Sequence, residues 1–343
     1  MFRLYPFILI LLLFLPARHS EAQAFRWLET ENDSSYISDY TGDLTVRLYG
    51  SRKFTSYQLS DGQRRLTYRP NGPFNLGFGF NYKFLGLNIG LNFPFINTSD
   101  LYGKTKFLDL QSHLYLRKLV IDFYGQYYKG YYLANTALLP DLRGAAVYIR
   151  PDLFTVNAGL SVQYIFNDRR FSFRSAYLQN EYQKKSSGSF LAGGDLHTLF
   201  IRGDSSVVPA SMLRSGFFDR DRFTRSNVYC ITANAGYAYT FVLKKHYFLT
   251  LSGHGGLGMN YTMLENPLQA ERAEGVHGQL NTTWRIAAGY NSERYFAGIH
   301  YVAISMRSNT PVPSAVQEFG AGNLRISFAK RFKIRKAIIE KSQ

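Results

Sequence analysis

Apolar and polar residues alternate with a period of two along most of the chain. Across 74–83, Phe74, Leu76, Phe78, Phe80 and Tyr82 alternate with Asn75, Gly77, Gly79, Asn81 and Lys83. Across 154–166, Phe154, Val156, Ala158, Leu160, Val162, Tyr164 and Phe166 share one face. Thr155, Asn157, Gly159, Ser161 and Gln163 share the other. Similar segments occur at 84–93, 105–116, 118–129, 171–180, 226–243, 276–290, 294–308 and 317–332, and an ascending strand is expected over 52–69. No helical period of comparable length competes with this pattern, so an all-β chain is predicted rather than βαβ units.

The character of the two faces decides which kind of β structure is expected. A soluble sandwich or lipocalin-like barrel also alternates, but it turns its charged face to water and its apolar face inward. Here the polar face is rich in Asn, Gln, Ser, Thr and Gly, while Lys and Arg gather at the connections. That distribution fits a polar lumen inside a lipid-facing wall. Short charged turns are expected at Lys83, Arg117-Lys118, Asp168-Arg169-Arg170, Lys244-Lys245 and Glu293-Arg294. They alternate with longer stretches at 94–104, 130–153, 181–225, 261–275 and 309–316. Short periplasmic turns and long extracellular loops mark an up-and-down transmembrane β-barrel. About twelve antiparallel strands are expected, or fourteen if SGSFLAGGDLHTLFI (187–201) is a strand within the longest loop. Tyr82, Phe84, Phe166, Phe171, Tyr247, Tyr290 and Tyr295 cluster at the short-turn side, as an interfacial girdle would.

The N-terminus adds a destination. Arg3 precedes an apolar run from Leu4 to Leu15, and a small-residue site at Ser20-Glu21-Ala22 follows, the layout of a secretory signal peptide over 1–22. Residues 23–50 are then expected as a periplasmic lead-in, 51–332 as the barrel and 333–343 as a basic tail. The single cysteine, Cys230, excludes an internal disulfide framework, and the scattered histidines show no metal-ligand spacing. No cofactor and no metal are therefore expected. The formal net charge of +16 points, in an exported protein, to anionic lipid headgroups or solutes rather than nucleic acid. The expected partners are outer-membrane lipids and the machinery that assembles barrels, at the cell outer membrane.

Four stretches carry a family resemblance: LTVRLYGSRKFTSY (44–57), GKTKFLDLQSHLYLRKLVIDFYGQYYKGYYL (103–133), RFSFRSAYLQNEYQKKSSGSFLAGG (170–194) and GYAYTFVLKKHYFLTLSG (236–253). They resemble the domain of unknown function 4421 family, exported proteins of Gram-negative bacteria expected to be outer-membrane barrels. The resemblance implies location and architecture, and no catalytic residue.

Candidate chemistry is sparse. Gly253, Gly255 and Gly258 match the G-x-G-x-x-G spacing, but no helix is expected after them, so a dinucleotide site is rejected. Ser252 and His254, two apart on a strand, share a face and could serve as nucleophile and base of a lipid hydrolase. That face is the polar one, away from acyl chains, so no enzymatic role is expected. Lys83, Asp109, His113, Asp122, Arg174, Arg285 and Arg325 are expected to line the lumen, with His277 also on a polar face. The arginines either form an electropositive pore lining or pair with aspartates in a lumen filled by residues such as Tyr124 and Tyr128. The loop 202–225, which carries Phe217, Phe218 and Phe223, is expected as a solvated surface loop, the alternatives being that it folds into the barrel mouth or contacts a partner. The functional expectation is a passive porin-like channel or a structural barrel, with a lipid hydrolase or a surface-loop binding protein as alternatives.

Overall fold

A computed structural model describes residues 31–72, 74–82, 85–92, 100–136 and 147–334. The leader 1–22, Lys83, Phe84 and most of the basic tail lie outside the described residues. Fifteen strands are described: β1 (Ile37–Asp39), β2 (Leu44–Ser60), β3 (Arg65–Arg69), β4 (Phe74–Tyr82), β5 (Leu85–Asn92), β6 (Lys106–Tyr115), β7 (Leu119–Leu133), β8 (Ile149–Ile165), β9 (Glu181–Gln183), β10 (Ser187–Arg202), β11 (Arg225–Leu243), β12 (Tyr247–Asn266), β13 (Glu271–Asn291), β14 (Tyr295–Asn309) and β15 (Val316–Phe332). No described helix is long and apolar enough to cross a membrane.

The strands pair antiparallel, and β15 returns to β2 over the full length of both, from Val316↔Ser60 to Phe332↔Leu44. This closes a ring of ten strands: β2, β3, β7, β8 and β10 to β15. Outside it, β4 and β5 extend from β2, and β6 pairs with β7. Closure removes the exposed sheet edge that an open sheet of this size would carry.

The ring is built inside out. Its outward positions are apolar and exposed, including Leu196, Ile231, Leu257, Met259, Trp284, Ile299 and Ile326. Its buried positions include Thr250, Ser252, His254, Asn260, Arg285, Asn157, Gln163, Asp195 and Asp122. Such a distribution is stable where the outside meets hydrocarbon. Tyr247, Tyr295 and Phe166 face outward at one rim, as expected of a girdle. Phe171, expected beside them, is instead fully buried.

The rim carrying Leu44, Phe332 and the turns 116–118, 244–246 and 292–294 is called the inner end, and the opposite rim the outer end. Several boundaries differ from expectation. The first wall strand starts at Leu44, inside the stretch expected as lead-in, because Val46, Leu48 and Phe54 continue the outward apolar register. The expected strand 52–69 contains a hairpin, whose turn is fixed by Asp61 accepting from the Arg64 amide at 2.7 Å and from Nε of Arg64 at 2.9 Å. The expected long loop 261–275 is almost absent, since β12 and β13 run on to a short turn. The stretch 187–201 is a wall strand, β10. The segment 171–180 is not a strand: Ser172 Oγ accepts from the Ser175 amide at 3.1 Å and caps a short helix, Phe173–Tyr177, whose side chains are all buried. Two of these changes offset each other in the strand order, which is why the alternation survives.

Candidate functional site

The lumen is filled in three layers. At the inner end, the chain turns over 166–170, at the expected Asp168-Arg169-Arg170, but the connection then folds back into the ring before β10 instead of passing straight to a wall strand. Its strand β9 pairs with β1. The capped helix is tied to the wall by His300 Nε2 on the Ala176 carbonyl at 2.8 Å, and by Arg174 Nε donating to the Tyr115 carbonyl at 2.8 Å. Arg331 Nε donates to the Gln179 carbonyl at 2.7 Å, and Arg117 meets Glu181 at 2.9 Å. Phe171, Phe173, Ala176 and Tyr177 pack with Tyr115, Val120, Phe248 and Phe296 of the wall. Tyr177 stacks on Tyr115 with ring centroids 5.4 Å apart.

The middle layer is polar. Asp122 on β7 accepts from His113 Nδ1 at 2.7 Å and from the Arg285 guanidinium. Arg285 also reaches Gln163 at 3.4 Å, and Gln163 Nε2 lies 2.8 Å from His254 Nε2. Asp195 accepts from Ser161 at 2.5 Å, Thr232 at 2.7 Å and Asn234 at 2.8 Å. Asp109 accepts from Tyr128 at 2.5 Å, and Lys53 Nζ lies 3.4 Å from it. Buried charge here is matched by opposite charge and by neutral donors, as a low-dielectric interior requires.

At the outer end, the connection 203–224 folds into the mouth. Val207, Val208, Met212, Leu213, Phe217, Phe218 and Phe223 are buried against Tyr57, Tyr68, Tyr128, Tyr131, Ile201, Leu264, Met306 and Phe319. Tyr68 Oη donates to the Val207 carbonyl at 2.6 Å, and Arg150 Nη1 to the Ser206 carbonyl at 2.9 Å. The backbone of Phe218, Asp219 and Arg220 is left-handed, with φ of 55°, 53° and 64°. Left-handed turns of non-glycine residues are costly and persist only where surrounding contacts hold them. The expected solvated loop is therefore an apolar plug. Its three phenylalanines are the sequence signal for it, since a solvated loop has no use for them.

The expected lumen residues fall into distinct settings. Asp122, His113 and Arg285 come together, while Asp109 belongs to a separate cluster with Lys53 and Tyr128. Arg174 is not on the wall at all but in the inner plug, also near Glu181 at 3.5 Å. Arg325 lies over the Tyr49 ring, 4.7 Å from its centroid. His277 is inward on β13, with its Nε2 buried and unpartnered. Ser252 and His254 do share the lumen face, but Ser252 Oγ and His254 Nδ1 have no hydrogen-bond partner, so no nucleophile–base pair is assembled. Missed by sequence reasoning were Arg47, Asp195, His197, Glu181, His300 and Arg331. Arg47 fell in the stretch expected as lead-in and Asp195 in the expected long loop 181–225, and nothing local distinguished His300 as an interior contact. Among the described residues no group of three or more His, Cys, Asp or Glu could hold a metal.

A closed, inside-out ring with a polar lumen into which its own connections fold defines an outer-membrane type of β-barrel. Within that class the chain belongs to the DUF4421 family, domain of unknown function, whose sequence model matches residues 31–332. A search of curated proteins finds no match. Among solved structures, the chain is similar to the outer membrane protease OmpT from Escherichia coli, at 10% identity and a TM-score of 0.36, covering 86% of this chain and 98% of that one. It is also similar to the toluene transporter TodX of Pseudomonas putida, at 10% identity and a TM-score of 0.25, covering 90% and 95%. The transport unit of the autotransporter AIDA-I from Escherichia coli matches at 10% identity and a TM-score of 0.31, covering 94% of each chain. Likenesses this distant carry no inference about activity.

Proposed function

We propose that this protein is a sealed outer-membrane barrel of about twelve hairpin-connected strands that acts as a structural or binding element rather than an open pore or an enzyme. The supporting observation is that, among the described residues, three groups stand in the lumen: the inner plug, the Asp122–Arg285 layer and the outer plug. In this reading β3 and β4 together form one descending strand, and β5 and β6 complete the count. The apolar exterior supports placement in the outer membrane, with the inner end toward the periplasm. Purified protein in planar bilayers is expected to give no steady conductance. Stable single-channel steps from the wild type would overturn the sealed reading. The absence of a Ser252–His254 contact argues against the hydrolase alternative; phospholipase activity abolished by Ser252→Ala would reinstate it.

A further inference from the structure

Among the described residues, the ladder along one side of β2 is interrupted. On β2, Arg52 is the last residue paired with β4 and Tyr57 the first paired with β3, so the edge from Lys53 to Ser56 has no strand partner on that side. The cause lies in the sequence Arg69-Pro70-Asn71-Gly72-Pro73. Neither proline has an amide hydrogen to give a ladder, and β3 ends at Arg69 while β4 begins at Phe74. Across the gap, β7 shifts register between Lys129 and Tyr131, with Gly130 at a φ of 94°. A Cβ at Gly130 would lie 2.3 Å from the Lys104 carbonyl oxygen, so the close approach requires glycine. β7 pairs with β3 through Tyr132 and Leu133.

Between these edges lies a cavity of about 550 Å³, lined among others by Arg52, Lys53, Phe54, Arg69, Tyr128 and Tyr301. It opens on the apolar outer surface, where Phe54 stacks on Tyr301 with centroids 5.7 Å apart. Lys53 is already engaged by Asp109, its Nζ donating to the Asp109 carbonyl at 2.6 Å. Arg52 and Arg69 are exposed and have no acidic partner among the described residues. Deeper in, Thr55 Oγ1 is buried with no partner. Irregular backbone and unpaired cations in a lipid-facing wall call for a polar, negatively charged occupant. Guanidinium groups suit phosphate because they donate two parallel hydrogen bonds to it.

We propose that this notch binds the anionic, phosphate-bearing headgroup of a membrane lipid, with Arg52 and Arg69 on the phosphate and the Phe54–Tyr301 stack against the adjoining apolar part. The inference rests on the exterior facing lipid and is independent of whether the lumen is sealed. The test is native mass spectrometry of the detergent-purified full chain titrated with dioleoyl phosphatidic acid or dioleoyl phosphatidylcholine. The wild type should retain one phosphatidic acid about tenfold more tightly than phosphatidylcholine, and the Arg52→Gln/Arg69→Gln variant should lose most of that preference. Equal retention of the two lipids by the wild type, or an undiminished preference in the variant, would overturn the proposal. So would displacement of the lipid by millimolar inorganic phosphate, which would mark a soluble-anion site instead. Because the wild-type comparison stands alone, failure of the variant to fold leaves the proposal testable. Heat-modifiable migration of the same samples reports separately whether the chain forms a membrane barrel.

Discussion

Arg285 on β13 and Asp122 on β7 meet across the lumen from strands half-way round the ring from each other, both withdrawn from solvent. The pair therefore acts as a cross-brace rather than as a charged lining for a passage. Removing one partner leaves the other charge buried, which costs about 3–5 kcal/mol, whereas replacing both by apolar residues of similar size is often nearly neutral. Arg285→Met and Asp122→Leu should each lower the unfolding midpoint in detergent well below that of the wild type. The double variant should recover most of the loss. Equal and additive losses in the double variant would show that the two side chains do not depend on each other.

The outer plug can be tested with the chain's own thiol. Cys230 is the only cysteine and is buried, in the same apolar cluster as Val207 and Phe217 of the plug. Each Phe→Ala change in a packed core costs about 3–5 kcal/mol, so Phe217→Ala with Phe218→Ala should open the mouth. Labelling of Cys230 by a water-soluble maleimide should then accelerate by at least about tenfold, since each 1.4 kcal/mol is a factor of ten in an opening equilibrium. An unchanged labelling rate in a correctly folded variant would mean that the plug does not guard the thiol.

What the sequence made legible follows from how far each signal reaches along the chain. Period-two alternation is local, so it places β7, β8, β11, β13, β14 and β15 closely and puts Asp122, Arg285, Ser252 and His254 on the polar face. It also places Phe171 and Phe173 on one face of a supposed strand, because F-S-F alternates whether or not a ladder forms. The turn to helix depends on the Ser172 cap and on burial among residues far away in sequence, such as Tyr115 and His300. The outer plug is a similar case: Phe217, Phe218 and Phe223 hint at burial, but they stand in a charge-rich stretch, and the walls that cover them are far away in sequence. The pairing of Arg285 with Asp122 spans 163 positions of sequence and could be stated beforehand only as one of two options.

Asp221 gives the outer plug a pH dependence. Burial raises its carboxyl above the ordinary value, with Glu271 adding to the rise, while the Phe223 amide donating at 3.0 Å opposes it. An acid whose folded pKa is raised favours the folded form when protonated. Its contribution is full below the ordinary carboxylate range and is lost as pH rises through the raised value. Hydrogen exchange at the Val207 amide, which donates to the Phe223 carbonyl at 3.0 Å, should therefore be better protected in mild acid than at neutral pH, after correction for intrinsic rates. Asp221→Asn, a neutral isostere, should bring the neutral-pH protection up to the acid level. If the variant keeps the full pH dependence, the effect belongs to another group.

The glycines at 253, 255 and 258 have the spacing of a phosphate loop, yet they occupy a wall strand and meet three different surroundings. A Cβ at Gly258 would fall 2.0 Å from the Ile231 carbonyl oxygen, an approach that the backbone of β11 cannot relieve without parting from β12. At Gly253 it would meet the Trp284 ring at 2.6 Å, which a rotation of that outward side chain could accommodate. At Gly255 nothing lies within 4 Å. Gly255→Ala should leave the barrel intact or stabilise it by about 0.4–1 kcal/mol, because alanine has fewer unfolded conformations to lose. Gly258→Ala should sharply reduce the heat-modifiable, folded fraction, and Gly253→Ala should fall between them. If Gly258→Ala folds as well as Gly255→Ala, the close contact between β11 and β12 at Ile231 is not a constraint on the wall.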